Sequence, residues 1–117
     1  MTNTKPTITL THLTFDCADA EKLSDFWSQV LDRPVKDGAS PEFAVIDGAP
    51  GWMFIQVPEG KAIKNRVHPD LSTKDHAAEV ERLTSLGASH LADHTEDGTT
   101  WATLADPEGN EFDLVAG

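Results

Sequence analysis

An order of secondary-structure elements that occurs twice along 117 residues leaves this chain few folds to choose from. Residues 8–16 alternate and are rich in β-branched side chains, which predicts a strand. Asp19 then precedes a stretch in which Leu23, Phe26, Trp27, Val30 and Leu31 follow the spacing of one apolar helical stripe. Asp19 is the expected N-cap, and Pro34 stops the helix. Short strands are expected near 34–37, 42–47 and 52–57, with a turn over 47–51 joining the last two. A polar connection over 58–66 follows, and the order then begins again. A strand is expected over 67–72. A helix over 75–87 carries Val80, Leu83 and Leu86 on one face, and Gly87 closes it. Strands near 88–92, 99–105 and 111–115 complete the second round, the last two joined by the turn Asp106-Pro107-Glu108-Gly109.

The two rounds align at an offset of 56 or 57 residues, with His12 on His68, Asp19 on Asp75, Trp27 on Leu83 and Gln56 on Asp113. A matching order of elements with matching landmarks is the mark of an internal duplication. The expected class is therefore α+β: two tandem βαβββ modules, about 8–57 and 67–115, in one domain over 1–117. Between them they should enclose a small-molecule pocket.

Charge narrows the partners. Twenty acidic against nine basic residues give a net charge of −11, which disfavours nucleic acid and anionic membrane surfaces. The single cysteine, Cys17, forbids an intrachain disulfide. The polar start from Met1 to Thr7 does not look like a signal peptide, and no apolar run approaches a membrane span. The expected location is the reducing cytoplasm. Tyrosine is absent, which removes a tyrosine general acid, and neither a Gly-rich phosphate loop nor a Ser–His–Asp signature is present.

Strand side chains alternate between faces. In the first strand Leu13 and Phe15 suit packing on the helix, leaving His12, Thr14 and Asp16 for the pocket. In the fifth strand, Val67 and Leu71 are expected toward the helix, with His68, Asp70 and Ser72 inward. In the last strand Asp113 points inward between Phe112 and Leu114. Two histidines and a carboxylate form a donor set for Fe(II), and also for Zn, Ni or Co with waters. Lys61, Lys64 and Arg66 cluster at the module junction, either as a solvated loop or as a clamp for an anionic group. Trp52, Phe54, Phe43 and Trp101 divide between core and pocket wall. His76, His90 and His94 read as surface histidines, and Cys17 shows no dyad signal.

The segments LTFDCADAEKLSDFWSQVL, NRVHPDLSTKDHAAEVERLTSLGA and ADPEGNEFDL resemble the glyoxalase-like proteins of the vicinal oxygen chelate superfamily, from about Leu10 to Val115. That superfamily includes glyoxalase I, bleomycin-resistance proteins, extradiol dioxygenases and methylmalonyl-CoA epimerase. The resemblance implies eight strands in an incomplete barrel, and commonly a homodimer. It also implies metal ligands from the first and last strands of each module, which here are His12, Gln56, His68 and Asp113. Glyoxalase I usually carries Glu where Gln56 stands, and Asp113 is one methylene shorter than the usual Glu. Two functions follow. One is a metal-dependent lyase or isomerase acting on a small oxygen-rich metabolite, with Asp113 moving the proton. The other is a metal-free drug- or metabolite-sequestering protein of the bleomycin-resistance type, whose cationic ligand would suit the acidic chain.

Overall fold

The computed structural model describes residues 5–117. Module one runs β1 (His12–Cys17), α1 (Ala20–Leu31), β2 (Phe43–Ile46) and β3 (Gly51–Gln56). Module two runs β4 (Asp70–Thr73), α2 (His76–Leu86), β5 (Ser89–Glu96), β6 (Thr99–Ala105) and β7 (Glu111–Ala116). The first sheet has the order β1-β3-β2 and the second β4-β7-β6-β5, with the pairs β1–β3 and β4–β7 parallel.

The element order is the expected duplicated one, with four local differences, the first being that the strand expected near 88–92 runs on to Glu96. The strand expected over 34–37 is a single bridge between Val35 and Ile46. Pro34 brings no N–H to a ladder, and the chain turns away at Gly38, whose φ is 98°. The strand expected over 8–16 pairs only from His12. The strand expected over 67–72 pairs only from Asp70, so His68 lies in the approach to β4. Val67, expected toward the helix, is exposed.

Each helix has a local cause. The Asp19 carboxylate accepts from the Lys22 amide at 3.0 Å, capping α1 as expected. Asp75 makes no side-chain cap bond at α2, while Gly87 closes that helix with φ 122°. The last turn of α1 holds no basic residue, and the cation comes instead from α2: Arg82 donates to the carbonyls of Gln29 and Val30 at 2.9 and 3.2 Å. No helix among the described residues is long and apolar enough to cross a membrane.

One buried cluster runs through both modules. Trp27 of α1 lies at its centre, its ring 4.9 Å from Trp52 on β3 and 4.8 Å from Phe112 on β7. The Trp27 Nε1–H donates at 3.0 Å to Asp106, a carboxylate only 3% exposed in the β6–β7 turn. Asp106 also accepts from the amides of Glu108 and Asn110, both at 2.9 Å, and from the Asn110 side chain. Burial raises its pKa, and the hydrogen bonds from Asn110, Trp27 and Glu108 oppose that rise. Next to it, the Glu108 carboxylate accepts from the backbone amides of Ala18 and Asp19 at 2.6 and 3.1 Å, so the turn of module two also closes the start of α1.

Asp106 is surrounded by donors, so only an acceptor-only side chain satisfies the site. Asp106→Ala is expected to destabilise by about 3 kcal/mol, because several buried donors lose their partner together. Asp106→Asn should cost nearly as much, since its amide turns a donor toward Trp27 or toward the backbone amides. Urea denaturation measures both variants, and an Asn variant as stable as the parent would refute the acceptor-only requirement.

Candidate functional site

The outer face of each sheet follows from its register. In the first sheet His12, Thr14 and Asp16 share a face with Gly51, Met53 and Ile55. In the second, Asp70 and Asp113 stand side by side, with Thr103 next to Asp113 on β6. Leu13 and Phe15 point the other way, and the Phe15 ring lies 5.7 Å from Trp27.

His68, Asp70 and Asp113 come together. The His68 Nε2 lies 3.3 Å from Asp70 Oδ1 and 3.2 Å from Asp113 Oδ2, and one donor atom from each of the three lies within 4.8 Å of the others. The Thr103 hydroxyl donates to Asp113 Oδ1 at 2.7 Å, which fixes the carboxylate and leaves Oδ2 toward His68. The Asp113 side chain is 17% exposed, and those of His68 and Asp70 are 42% and 65% exposed. An ion held about 2.1 Å from each donor needs donors roughly 3 Å apart, so the spacings around His68 fit a divalent ion. The chemistry fits as well, since one imidazole and two carboxylates balance a charge of two.

The other two expected ligands are elsewhere. His12 lies over the bare Cα of Gly51, where an added Cβ would stand 3.0 Å from its ring. It borders a separate cavity of about 270 Å³ with Lys36, Asp37, Phe43 and Asp47. Gln56 is on the wrong face: it pairs with Cys17, whose side chain is buried on the helix side, and its amide donates to the Ala18 carbonyl at 2.9 Å. The cause is the growing offset between modules. Thr14 pairs with Met53 as Asp70 pairs with Asp113, so the counterpart of Asp113 is Met53, 60 residues away, and not Gln56. Both hairpins of module two are longer than their counterparts, and each adds to the offset: Val45 pairs with Met53 as Thr103 pairs with Asp113, across two more residues.

A cleft of about 320 Å³ runs between β1 and the approach to β4, within the range of small-ligand sites. Its walls include Leu13 and Asp16 on one side and Asn65, Val67, His68 and Glu111 on the other. Trp52 and Phe54, both possible pocket wall, are core residues 6% and 0% exposed. Phe43 is 44% exposed on the outer face of the first sheet. Trp101 is half-buried on the outer face of the second, stacked on His94 with ring centroids 5.0 Å apart. Lys61 pairs with Glu111 at 3.3 Å, while Lys64 and Arg66 are exposed. Hydrogen bonds and Lys61 lower the Glu111 pKa against the desolvation that raises it. Cys17 is buried, and desolvation, followed by the charges of Glu108, Asp19, Asp16 and Asp106, pushes its thiol up to about 11. That thiol is not a nucleophile at neutral pH.

Asp70 stands two residues from His68, a spacing readable as one strand face, but the fourfold ligand alignment drew attention to Gln56 instead. Thr103, Asn65 and Glu111 carried no sequence signal of their own.

Known proteins agree with this architecture. The glyoxalase-like domain family matches residues 12–115. No curated protein sequence matches. Among solved structures, a glyoxalase/bleomycin resistance protein/dioxygenase family enzyme from Burkholderia phytofirmans PsJN superposes with a TM-score of 0.76 at 23% identity, over 93% of this chain and 98% of that one. The fosfomycin resistance protein FosX from Mesorhizobium loti has a TM-score of 0.73 at 20% identity, over 92% and 91%. Lactoylglutathione lyase from Agrobacterium tumefaciens has a TM-score of 0.68 at 12% identity, over 97% and 96%. At these identities the likeness is one of fold. The match over nearly the whole length of the chain, with two βαβββ modules beneath it, makes this protein a member of the glyoxalase-like domain family.

Proposed function

We propose that this chain binds a small oxygen-rich metabolite in the cleft beside His68 and acts on it as a lyase or isomerase with one divalent metal ion, Zn, Ni, Co or Fe(II). The observation that carries the reading is the convergence of Asp70 and Asp113 on the Nε2 of His68, at 3.3 and 3.2 Å. When bound, the ion would supply Lewis-acid stabilisation of negative charge on a substrate oxygen. His68, Asp70 and Asp113 would hold it. Asp113 is the group we assign to the proton, with its rotamer set by Thr103. Asp16 lines the opposite wall and puts a carboxylate across the cleft from His68. Lys64 and Arg66 remain the cations for an anionic substrate group, while Lys61 is engaged by Glu111. Trp101 would offer an apolar shelf on the face that carries Asp113.

A second reading rests on a different observation. Asp16 and Glu111 border the cleft of a chain whose net charge is −11. That wall suits a cationic drug or metabolite held without metal. The lactoylglutathione lyase and the fosfomycin resistance protein among the structural neighbours share the fold, and the fold alone does not choose between the two readings.

We also propose a cytoplasmic homodimer. Phe43 and Ile55 are 44% and 37% exposed on the outer face of the first sheet. The radius of gyration is 16.0 Å, against the roughly 13–14 Å of a compact chain of this length. A second copy laid across these open faces would cover them and could bring its His12 toward the His68 cluster, since His12 lies in another cavity within one chain. Light scattering at micromolar concentration is expected to give twice the chain mass, and a monomer would refute the dimer.

Calorimetric titration with Co(II) or Zn(II) at pH 7.5 tests the metal. His68→Ala should abolish uptake, because it removes the central donor. Asp70→Ala should weaken uptake by at least about tenfold. Gln56→Glu should leave affinity unchanged, since that side chain faces away. If neither the parent nor any variant takes up metal, the metal-free binding reading replaces this one.

A further inference from the structure

The approach to β4 must deliver His68 to Asp113 although it has almost nothing to hold it. From Pro58 to His68 every residue is exposed except Asn65. Ile63 and Val67, the large aliphatic side chains of this strap, are 73% and 78% exposed, so no apolar anchor exists. Asn65 replaces one. Its Oδ1 accepts from the Glu111 amide at 2.8 Å, and its Nδ2 donates to the Glu111 carbonyl at 3.2 Å. The side-chain amide thus pairs with β7 as a peptide group of a neighbouring strand would. The same Nδ2 donates to the Val67 carbonyl at 2.6 Å, closing the strap on itself one residue before His68. The half-buried Lys61–Glu111 ion pair, at 3.3 Å, and a long bond of 3.4 Å from the Asn65 backbone amide to Glu111 Oε1 add to this tie.

The strap is therefore tied to the strand that supplies Asp113, two residues from it and on the same face. Beyond His68, the Asp113 amide donates to the Pro69 carbonyl at 3.0 Å. Only three residues, Arg66 to His68, span the interval between these two ties to β7.

We propose that Asn65 is the positioning residue of the site: its amide sets the strap against β7 and so holds the His68 imidazole in register with Asp113 and Asp70. The consequence for a divalent ion rests on the metal-dependent reading above, whereas the hold on the strap does not.

Three forms of the whole chain decide it: the parent, Asn65→Ala, and Asn65→Asp, which keeps the acceptor but loses both donors. Without metal, amide exchange and backbone relaxation by NMR read the strap. In Asn65→Ala the Glu111 amide should exchange at least about tenfold faster and residues 61–68 should become mobile on the nanosecond scale, with the melting temperature near that of the parent. Asn65→Asp, which turns a carboxylate oxygen toward the Glu111 and Val67 carbonyls, should loosen the strap at least as far. With Co(II), affinity should drop about tenfold in Asn65→Ala, as for other groups that orient a ligand. A strap that stays ordered in Asn65→Ala, or a Co(II) affinity equal to the parent's, would overturn the proposal. If the parent itself takes up no Co(II), the metal-dependent reading falls and the strap measurement alone decides the role of Asn65.

Discussion

The contact between the Trp27 indole and the Asp106 carboxylate joins everything else. Trp27 belongs to the helix of module one and Asp106 to the last turn of module two, 79 residues apart. A carboxylate taken out of water is costly unless donors surround it, and here the indole, two backbone amides and the Asn110 side chain do so. The arrangement places the aromatic ring where both sheets can pack on it, Trp52 from one side and Phe112 from the other. Neither module could bury its helix stripe as completely alone. The Asp106-Pro107-Glu108-Gly109 sequence is thus more than a hairpin turn. Its first residue fastens α1 from inside, and its third closes the start of the same helix through Ala18 and Asp19.

The fold was legible because its signals are periodic and local. The stripe from Leu23 to Leu31, the cap at Asp19 and the closing Gly87 all act within a few residues, and the structure keeps each of them. The strand at 34–37 was not legible in detail, because a β-branched residue beside Pro34 says little about whether a partner strand can accept it. The site was half legible. Alternation and the family resemblance both point to His68 and Asp113, which the structure places 3.2 Å apart. Gln56 falls on the other face because an offset of 56 or 57 grows to 60 by the last strand, where the hairpins differ in length, and an odd slip in a strand moves a side chain to the opposite face. Asn65 could not be found at all: a side chain acting as a strand is defined only by what it pairs with, and Glu111 is 46 residues away.

On the metal-dependent reading the ligand chemistry changes character once Asp70 takes the place expected for Gln56. A neutral amide would leave a divalent ion partly uncompensated, whereas two carboxylates and an imidazole would bring the site to neutrality. Much of its selectivity for a substrate would then come from the cleft walls, where each side pairs a carboxylate with an apolar residue, Asp16 with Leu13 and Glu111 with Val67. The same inventory of walls serves the metal-free reading, and the metal content of the purified protein separates the two.

Cys17 has a use that its inertness hides. Its thiol is 4% exposed at the end of β1, beside the amides that Glu108 holds. At that exposure a reagent meets the thiol only when the end of β1 opens locally, and the thiol must then ionise in water as an ordinary cysteine would. Labelling kinetics at this one native position therefore report local opening at the end of β1, a clock for internal breathing that needs no introduced probe.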